Sequence, residues 1–184
     1  MSASTKTRDQ LQQVTVLFCG DSGDGMQLSG TQLSTTSAVY GNDVSTLPDY
    51  PSEIRAPAGS LAGVSAFQVQ LASHEIHTPG DNPDVLVAMN PASLKVNLPR
   101  LKPGGVIISD QDAFNERNLS KADYKTNPLD DPTLRSSYRL HPVPISSLAL
   151  KALEAVDLKH AAKRRCKNFF ALGLVYWLYA RPLE

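Results

Sequence analysis

The alternation of apolar and polar positions divides the chain into short apolar runs separated by longer, mixed stretches. Residues 14–19, Val-Thr-Val-Leu-Phe-Cys, form a nearly continuous apolar run that stops at Gly20. A run of this length, apolar on both faces, predicts a central parallel strand. The segment Gly20-Asp21-Ser22-Gly23-Asp24-Gly25 follows, and residues 26–40 then read as a helix that stops at Gly41. Residues 44–47 predict a second strand. Pro48, Pro51 and Pro57 place the next segment in an extended loop, because proline lacks an amide donor and fixes φ. Residues 63–72 predict a strand with one slip in phase. Its Ser65, Gln68 and Gln70 imply a wet face, and hence an antiparallel or edge position.

Further strands are predicted at 84–90, ending in a loop at Asn90-Pro91, at 106–110 and at 140–145. A short helix runs through Leu94, Val96 and Leu98, another over 148–156 is capped by Ser146 and Ser147, and a long helix closes the chain over 160–180. Residues 111–137 lack periodicity and read as a long connection that wraps the domain or meets a partner. Strands alternating with helices predict an α/β fold: a Rossmann-like, mostly parallel sheet with helices on both faces and one antiparallel or edge strand. Residues 1–13 read as a disordered arm, and residues 14–184 as a single domain.

Composition narrows the function classes. A chain of 184 residues suits one domain with a sizeable core. At 41% hydrophobic and 20% charged residues, a predominantly disordered state is excluded. Lys+Arg and Asp+Glu number 18 each, so the basic excess that a nucleic-acid binder needs is missing. Cys19 and Cys166 are too few for an iron–sulfur cluster or a structural zinc, each of which takes about four ligands. They fit a reducing compartment, and with a polar start and no apolar run approaching the roughly 20 residues of a membrane span, the expectation is a cytoplasmic protein.

The glycine-rich turn between the first strand and first helix carries the clearest chemistry. Glycines allow positive φ and close approach of a ligand, while a helix N-terminus offers unpaired amides to an anion. The spacing Gly20-x-x-Gly23-x-Gly25 is not the dinucleotide fingerprint, and Asp21 and Asp24 repel phosphate unless they point away, pair, or cap amides. A tight turn that merely caps the helix explains the same residues. Gly20-Asp21-Ser22-Gly23 copies a serine-protease nucleophile string, but no histidine precedes it. Gly23-Asp24-Gly25 copies the start of a thiamine-diphosphate magnesium motif without its later asparagine pair, and no Gly-Lys-Ser/Thr follows to make a P-loop.

Elsewhere, His74 and His77 lie three apart near a strand end, where surface polar residues explain them better than a metal site. Arg55 sits in the proline-stiffened loop, either to clamp a phosphate or carboxylate or to pair with Glu53 or Asp49. Lys159, Lys163, Arg164, Arg165 and Lys167 open the last helix. A solvated face is the ordinary reading of such a cluster, and a site for coenzyme phosphates or an acidic partner is the alternative. Beyond them the helix is apolar on nearly every face, so it is buried or covered by a partner. The ending Arg181-Pro182-Leu183-Glu184 shows no obvious stop signal. No catalytic residue is assigned.

Five strings in order resemble one family: Gly20-Asp-Ser-Gly-Asp-Gly-Met26, Asp49-Tyr-Pro-Ser-Glu-Ile-Arg-Ala-Pro-Ala-Gly59, Gly63-Val-Ser-Ala-Phe-Gln68, Pro83-Asp-Val-Leu-Val-Ala-Met-Asn-Pro91 and Arg165-Cys-Lys-Asn-Phe-Phe-Ala-Leu-Gly173. The sequence resembles the gamma-type N-terminal domain of 2-oxoacid:acceptor (ferredoxin) oxidoreductases, especially the alpha subunit of the 2-oxoglutarate type. The resemblance implies an α/β domain associated with coenzyme A, in an enzyme that oxidatively decarboxylates a 2-oxoacid to an acyl-CoA and passes electrons to ferredoxin. By that resemblance Gly20, Ser22, Gly23 and Gly25 line the coenzyme site, with Arg55 and Asn90 as neighbours. Many relatives carry a Gly-Gly-Gln-Gly loop, from which Asp21 and Asp24 depart. Thiamine diphosphate, Mg and the iron–sulfur cluster are expected on the following domain and on a beta subunit, so the chain resembles the front part of a longer or split subunit. The leading expectation is a coenzyme-binding and assembly domain, inactive by itself. A free-standing nucleotide-binding or regulatory module of the same fold is the alternative, and a purely structural interface domain is a third.

Overall fold

The computed structural model describes residues 11–53 and 55–180. Ten of the thirteen residues read as an arm, and the ending at 181–184, lie outside the described residues. Gln13 opens the first strand, and the Ser73 amide donates to the Gln12 carbonyl at 2.9 Å.

Six strands form one sheet: β1 (Gln13–Asp21), β2 (Asp43–Asp49), β3 (Val64–Ala72), β4 (Val85–Ala88), β5 (Val106–Asp110) and β6 (Arg139–Val143). Their spatial order is β2-β3-β1-β4-β5-β6, with β1, β4, β5 and β6 parallel and β3 antiparallel to both β1 and β2. The apolar run at 14–19 is thus central, as read, but parallel to one neighbour only. Its continuity has a simple cause. Val16 and Phe18 enter one core layer while Leu17 and Cys19 enter the other, because side chains alternate across a strand.

Helix α1 (Met26–Val39) follows β1 onto the first face. It is joined there by α5 (Ile145–Ala152) and α7 (Lys167–Leu178), whose Ile145, Leu172 and Val175 are buried. On the second face lie α2 (Pro91–Asn97), α3 (Glu116–Lys121) and α4 (Pro132–Ser137), contributing Leu94 and Leu134 among others. Helices therefore leave β1 and β4 toward opposite faces, which opens a crevice at the carboxyl ends of these strands.

Several local readings are corrected. The strand at 64–72 is antiparallel but internal, all nine residues are buried, and its register against β1 is unbroken from Gln13↔Ala72 to Asp21↔Val64. No phase slip and no wet face exist. Gln68 Nε2 donates to the carbonyls of Pro79 and Gly80, and Arg100 donates to its Oε1, so a loop and a guanidinium replace water. Pro48 belongs to β2, tolerated because that strand is an edge. Asn90 does not end in a loop but caps α2, its side chain accepting from the Ser93 amide, with Pro91 as the first helical residue. The segment 111–137 is not a structureless wrap, since Phe114, Leu129 and Leu134 pack its short helices onto the second face. Ser146 and Ser147 do not cap the next helix, which begins at Ile145 behind Pro144. The closing helix breaks at Cys166 into α6 (His160–Arg165) and α7.

Burial separates the two thiols. Cys19 is fully buried, and burial pushes its pKa up to about 12, whereas Cys166 is partly exposed. A thiol-specific reagent is therefore expected to label Cys166 alone in the native chain and both cysteines after denaturation. Rapid native labelling of Cys19 would contradict the packing of β1.

Candidate functional site

The carboxyl ends of β1 and β5 and the starts of α5, α6 and α7 enclose a cleft of about 660 Å³. Gly23 and Asp24 form one wall, Asp112, Asn115 and Asn118 another. Ser146 and Ser147 of α5, His160, Arg164 and Arg165 of α6 and Lys167 of α7 complete the polar lining.

The loop's two acidic residues have defined tasks. Both Asp21 carboxylate oxygens accept from the Gly59 amide at 3.0 Å, and Oδ1 also accepts from Asn90 Nδ2 at 3.1 Å. This pins loop 55–59 and the start of α2 to the end of β1. Asp24 Oδ2 accepts from the Asp21 amide at 3.1 Å, while Oδ1 pairs with Lys167 Nζ at 2.7 Å. The repulsion foreseen from the sequence is thus removed by pairing and by amide capping. Burial raises the Asp21 pKa, opposed by the Gly59 amide. Asp110, at the end of β5, is fully buried, and burial raises its pKa as well. It accepts from the Ser146 amide at 3.1 Å and from Ser146 Oγ at 2.6 Å. Asp112 Oδ2 accepts from the Ser147 amide at 2.7 Å.

Of the residues expected at the site, Gly23 lines the cleft, with open space where a Cβ would stand. Gly20 is packed against Asp24 and Met89, and Ser22 is exposed in the turn with its amide donating to the Gly63 carbonyl. Gly25 takes φ +76° at the N-cap of α1, and a Cβ there would lie 2.5 Å from Asn168 Nδ2. Asn90 is the buried cap of α2. Arg55 is exposed on the loop that leads to Gly59, outside the cleft lining, and Asp49 pairs with Arg100 at 3.4 Å instead. His74 and His77 are exposed, and no cluster able to hold a metal occurs among the described residues.

The sequence reading missed Asp24, Asn115, Asn118, Ser146 and Lys167 as members of one site. Local signals exist for Asp24, inside the glycine loop, and for Lys167, inside the basic cluster, while Ser146 reads only as a helix cap. Asn168, next in line, reaches back to the Gly25 carbonyl at 3.4 Å, so the start of α7 is built around the glycine loop.

A family model described as pyruvate ferredoxin/flavodoxin oxidoreductase matches residues 15–183. The chain belongs to that family. It is 52% identical over 177 residues to the 2-oxoglutarate oxidoreductase subunit KorA of Mycobacterium tuberculosis, a match covering 96% of this chain and 27% of that one. It is 31% identical over 106 residues to the 2-oxoglutarate synthase subunit KorC of Methanothermobacter thermautotrophicus, covering 56% and 53% respectively. The chain thus spans about a quarter of the first relative and about half of the second. Among solved structures, its fold is shared with the 2-oxoglutarate:ferredoxin oxidoreductase of Magnetococcus marinus, which has 2-oxoglutarate, coenzyme A and succinyl-CoA bound. That match has a TM-score of 0.65 at 23% identity, over 91% of this chain and 24% of the other. The gamma subunit of the keto/oxoacid ferredoxin oxidoreductase of Geobacter sulfurreducens gives 0.62 at 19% identity, over 91% and 78%. The family resemblance read from the five strings is borne out, and these matches share the α/β oxidoreductase fold.

Proposed function

We propose that the chain is a component of a thiamine-diphosphate-dependent 2-oxoacid:ferredoxin oxidoreductase acting on a 2-oxoacid such as 2-oxoglutarate, in which this domain binds coenzyme A and joins the subunits. The observation that carries the reading is the cleft itself. It lies where open α/β sheets receive ligands, and its volume and cationic wall suit a phosphate-bearing coenzyme. In this reading Gly23 admits the ligand, while Gly20, Gly25 and Asn90 hold the loop in shape and Ser22 and Arg55 border it. Thiamine diphosphate, its magnesium and the iron–sulfur cluster belong to the remaining alpha region and to a beta subunit, since two cysteines fall short of a cluster. Ferredoxin is the acceptor of the whole assembly.

Assembly is supported by α7. Phe169 is 48% exposed, Trp177 64% and Leu178 40%, an apolar surface at the end of the described chain. No helix among the described residues is long and apolar enough to cross a membrane.

The chain alone is expected to show no 2-oxoglutarate-dependent dye reduction. Addition of the thiamine-binding region and the beta subunit is expected to restore reduction that requires coenzyme A. Turnover by the chain alone would overturn the reading. Tight binding of NAD or ATP in place of coenzyme A would favour a free-standing nucleotide module.

A further inference from the structure

We propose that Arg164 and Arg165 form a subsite for the 3′-phosphate of coenzyme A, so that the cleft selects the phosphorylated coenzyme over dephospho-coenzyme A. The inference rests on the coenzyme reading above and adds the residues that discriminate.

Three observations carry it. The first is placement. His160, Ala161, Arg164 and Arg165 all line the cleft, because spacing of four on α6 stacks His160 with Arg164 and Ala161 with Arg165 along one side. The second is charge. Three permanent cations face two carboxylates in the lining, but Lys167 is engaged by Asp24, and Asp112 is turned to the Ser147 amide. Among the described residues neither arginine has a carboxylate partner, and the neighbouring Lys163 points its ammonium to the Glu154 carbonyl. Two arginines that line one concave site without a carboxylate partner favour a doubly charged anion that can take a fork of donors from each. The third is the shortage of stacking surface. Among the described residues no Phe, Tyr or Trp lines the cleft and His160 is its one aromatic ring, so charge outweighs base stacking in its lining. A phosphomonoester, with a charge near −2 at neutral pH, matches the pair better than a diphosphate linkage, whose two phosphates carry about one charge each.

Calorimetry on the full chain decides the matter with coenzyme A, dephospho-coenzyme A, 3′,5′-ADP and ATP as titrants. Coenzyme A is expected to bind about tenfold or more tightly than its dephospho form, and 3′,5′-ADP to compete with it. Arg164→Gln and Arg165→Gln are each expected to weaken coenzyme A about tenfold while leaving dephospho-coenzyme A unchanged, which also shows that the variants are folded. Lys151→Gln, an exposed basic position outside the cleft, is expected to change neither. Equal affinity for the two coenzyme forms, or indifference of both arginine variants, overturns the subsite and leaves the coenzyme reading intact. ATP binding as tightly as coenzyme A overturns it as well, by showing a general polyanion site. Binding of neither coenzyme form overturns both the subsite and the coenzyme reading.

Discussion

Lys167→Met is expected to lower stability by about 3 kcal/mol at pH 7, the low end of the cost of breaking a buried ion pair by removing one partner. The pair it removes is short, 2.7 Å from Nζ to Asp24 Oδ1, and mostly shielded, with side-chain exposures of 21% and 15%. Lys167 also favours the ionised forms of Asp21 and Asp110, both of which burial pushes toward protonation. Its loss leaves Asp21, Asp24 and Asp110 without the cation they share. The pH dependence follows from the sign of these shifts. A carboxyl whose folded pKa lies above its unfolded value contributes stability that is fully present below the unfolded pKa and is lost as pH rises through the folded one. Removing the cation raises both folded values further, so the deficit of the variant should be larger at pH 7 than at pH 5. Urea denaturation at the two pH values measures this, and the double variant Asp24→Asn/Lys167→Met should regain much of the loss. A deficit that is absent, or that grows on acidification, would show that the pair does not organise the site.

Gly30→Ala is the second large effect, and its sign is opposite to the ordinary one. In an open helix this substitution gains about 0.5–1 kcal/mol by restricting the unfolded chain. Here a Cβ would stand 2.1 Å from Phe67 Cδ1 and 2.5 Å from its Cγ, because α1 lies directly on β3. Overpacking of a core costs about 1–3 kcal/mol and wins, for a net loss of about 2 kcal/mol, or roughly 4–8 °C in a chain of this size. Thermal unfolding checks the loss, and Phe67→Leu in the same chain should recover part of it. Because α1 starts at Gly25, displacement of the helix also moves the glycine loop, and weaker coenzyme A binding should accompany the lower midpoint. A variant as stable as the parent would mean that Phe67 gives way and that the approach of α1 to β3 does not limit the core.

Legibility varied with the range of the interactions. Residues 14–19 and 106–110 are readable as continuous apolar runs buried on both faces, and 26–39 as the stretch between the glycine turn and Gly41, because each signal is local. The strand at 64–72 was found, but its environment was misread. Ser65, Gln68 and Gln70 look solvated in one dimension, and only the fold lays Pro79, Gly80 and Arg100 over Gln68. The same limit explains Asn90, whose capping role needs the turn between β4 and α2, and Ser146, which is bound by Asp110 of a separate strand. The candidate site was half legible. The glycine loop and the basic cluster both stood out in the sequence, yet no local rule says that they face each other.

The sequence by itself determined the α/β class, the order of elements, the glycine turn after the first strand and, through five short strings, the family. These depend on contacts between near neighbours and on the alternation of side chains along each element. Tertiary structure alone decided that Asp21 and Asp24 turn to amides and to Lys167, that the closing helix breaks at Cys166, and that Arg164 and Arg165 face a cleft. Asn168 meets Gly25 across 143 residues of chain. Such a contact exists only because the sheet brings the carboxyl ends of its strands to one edge, where helices packed on one face begin.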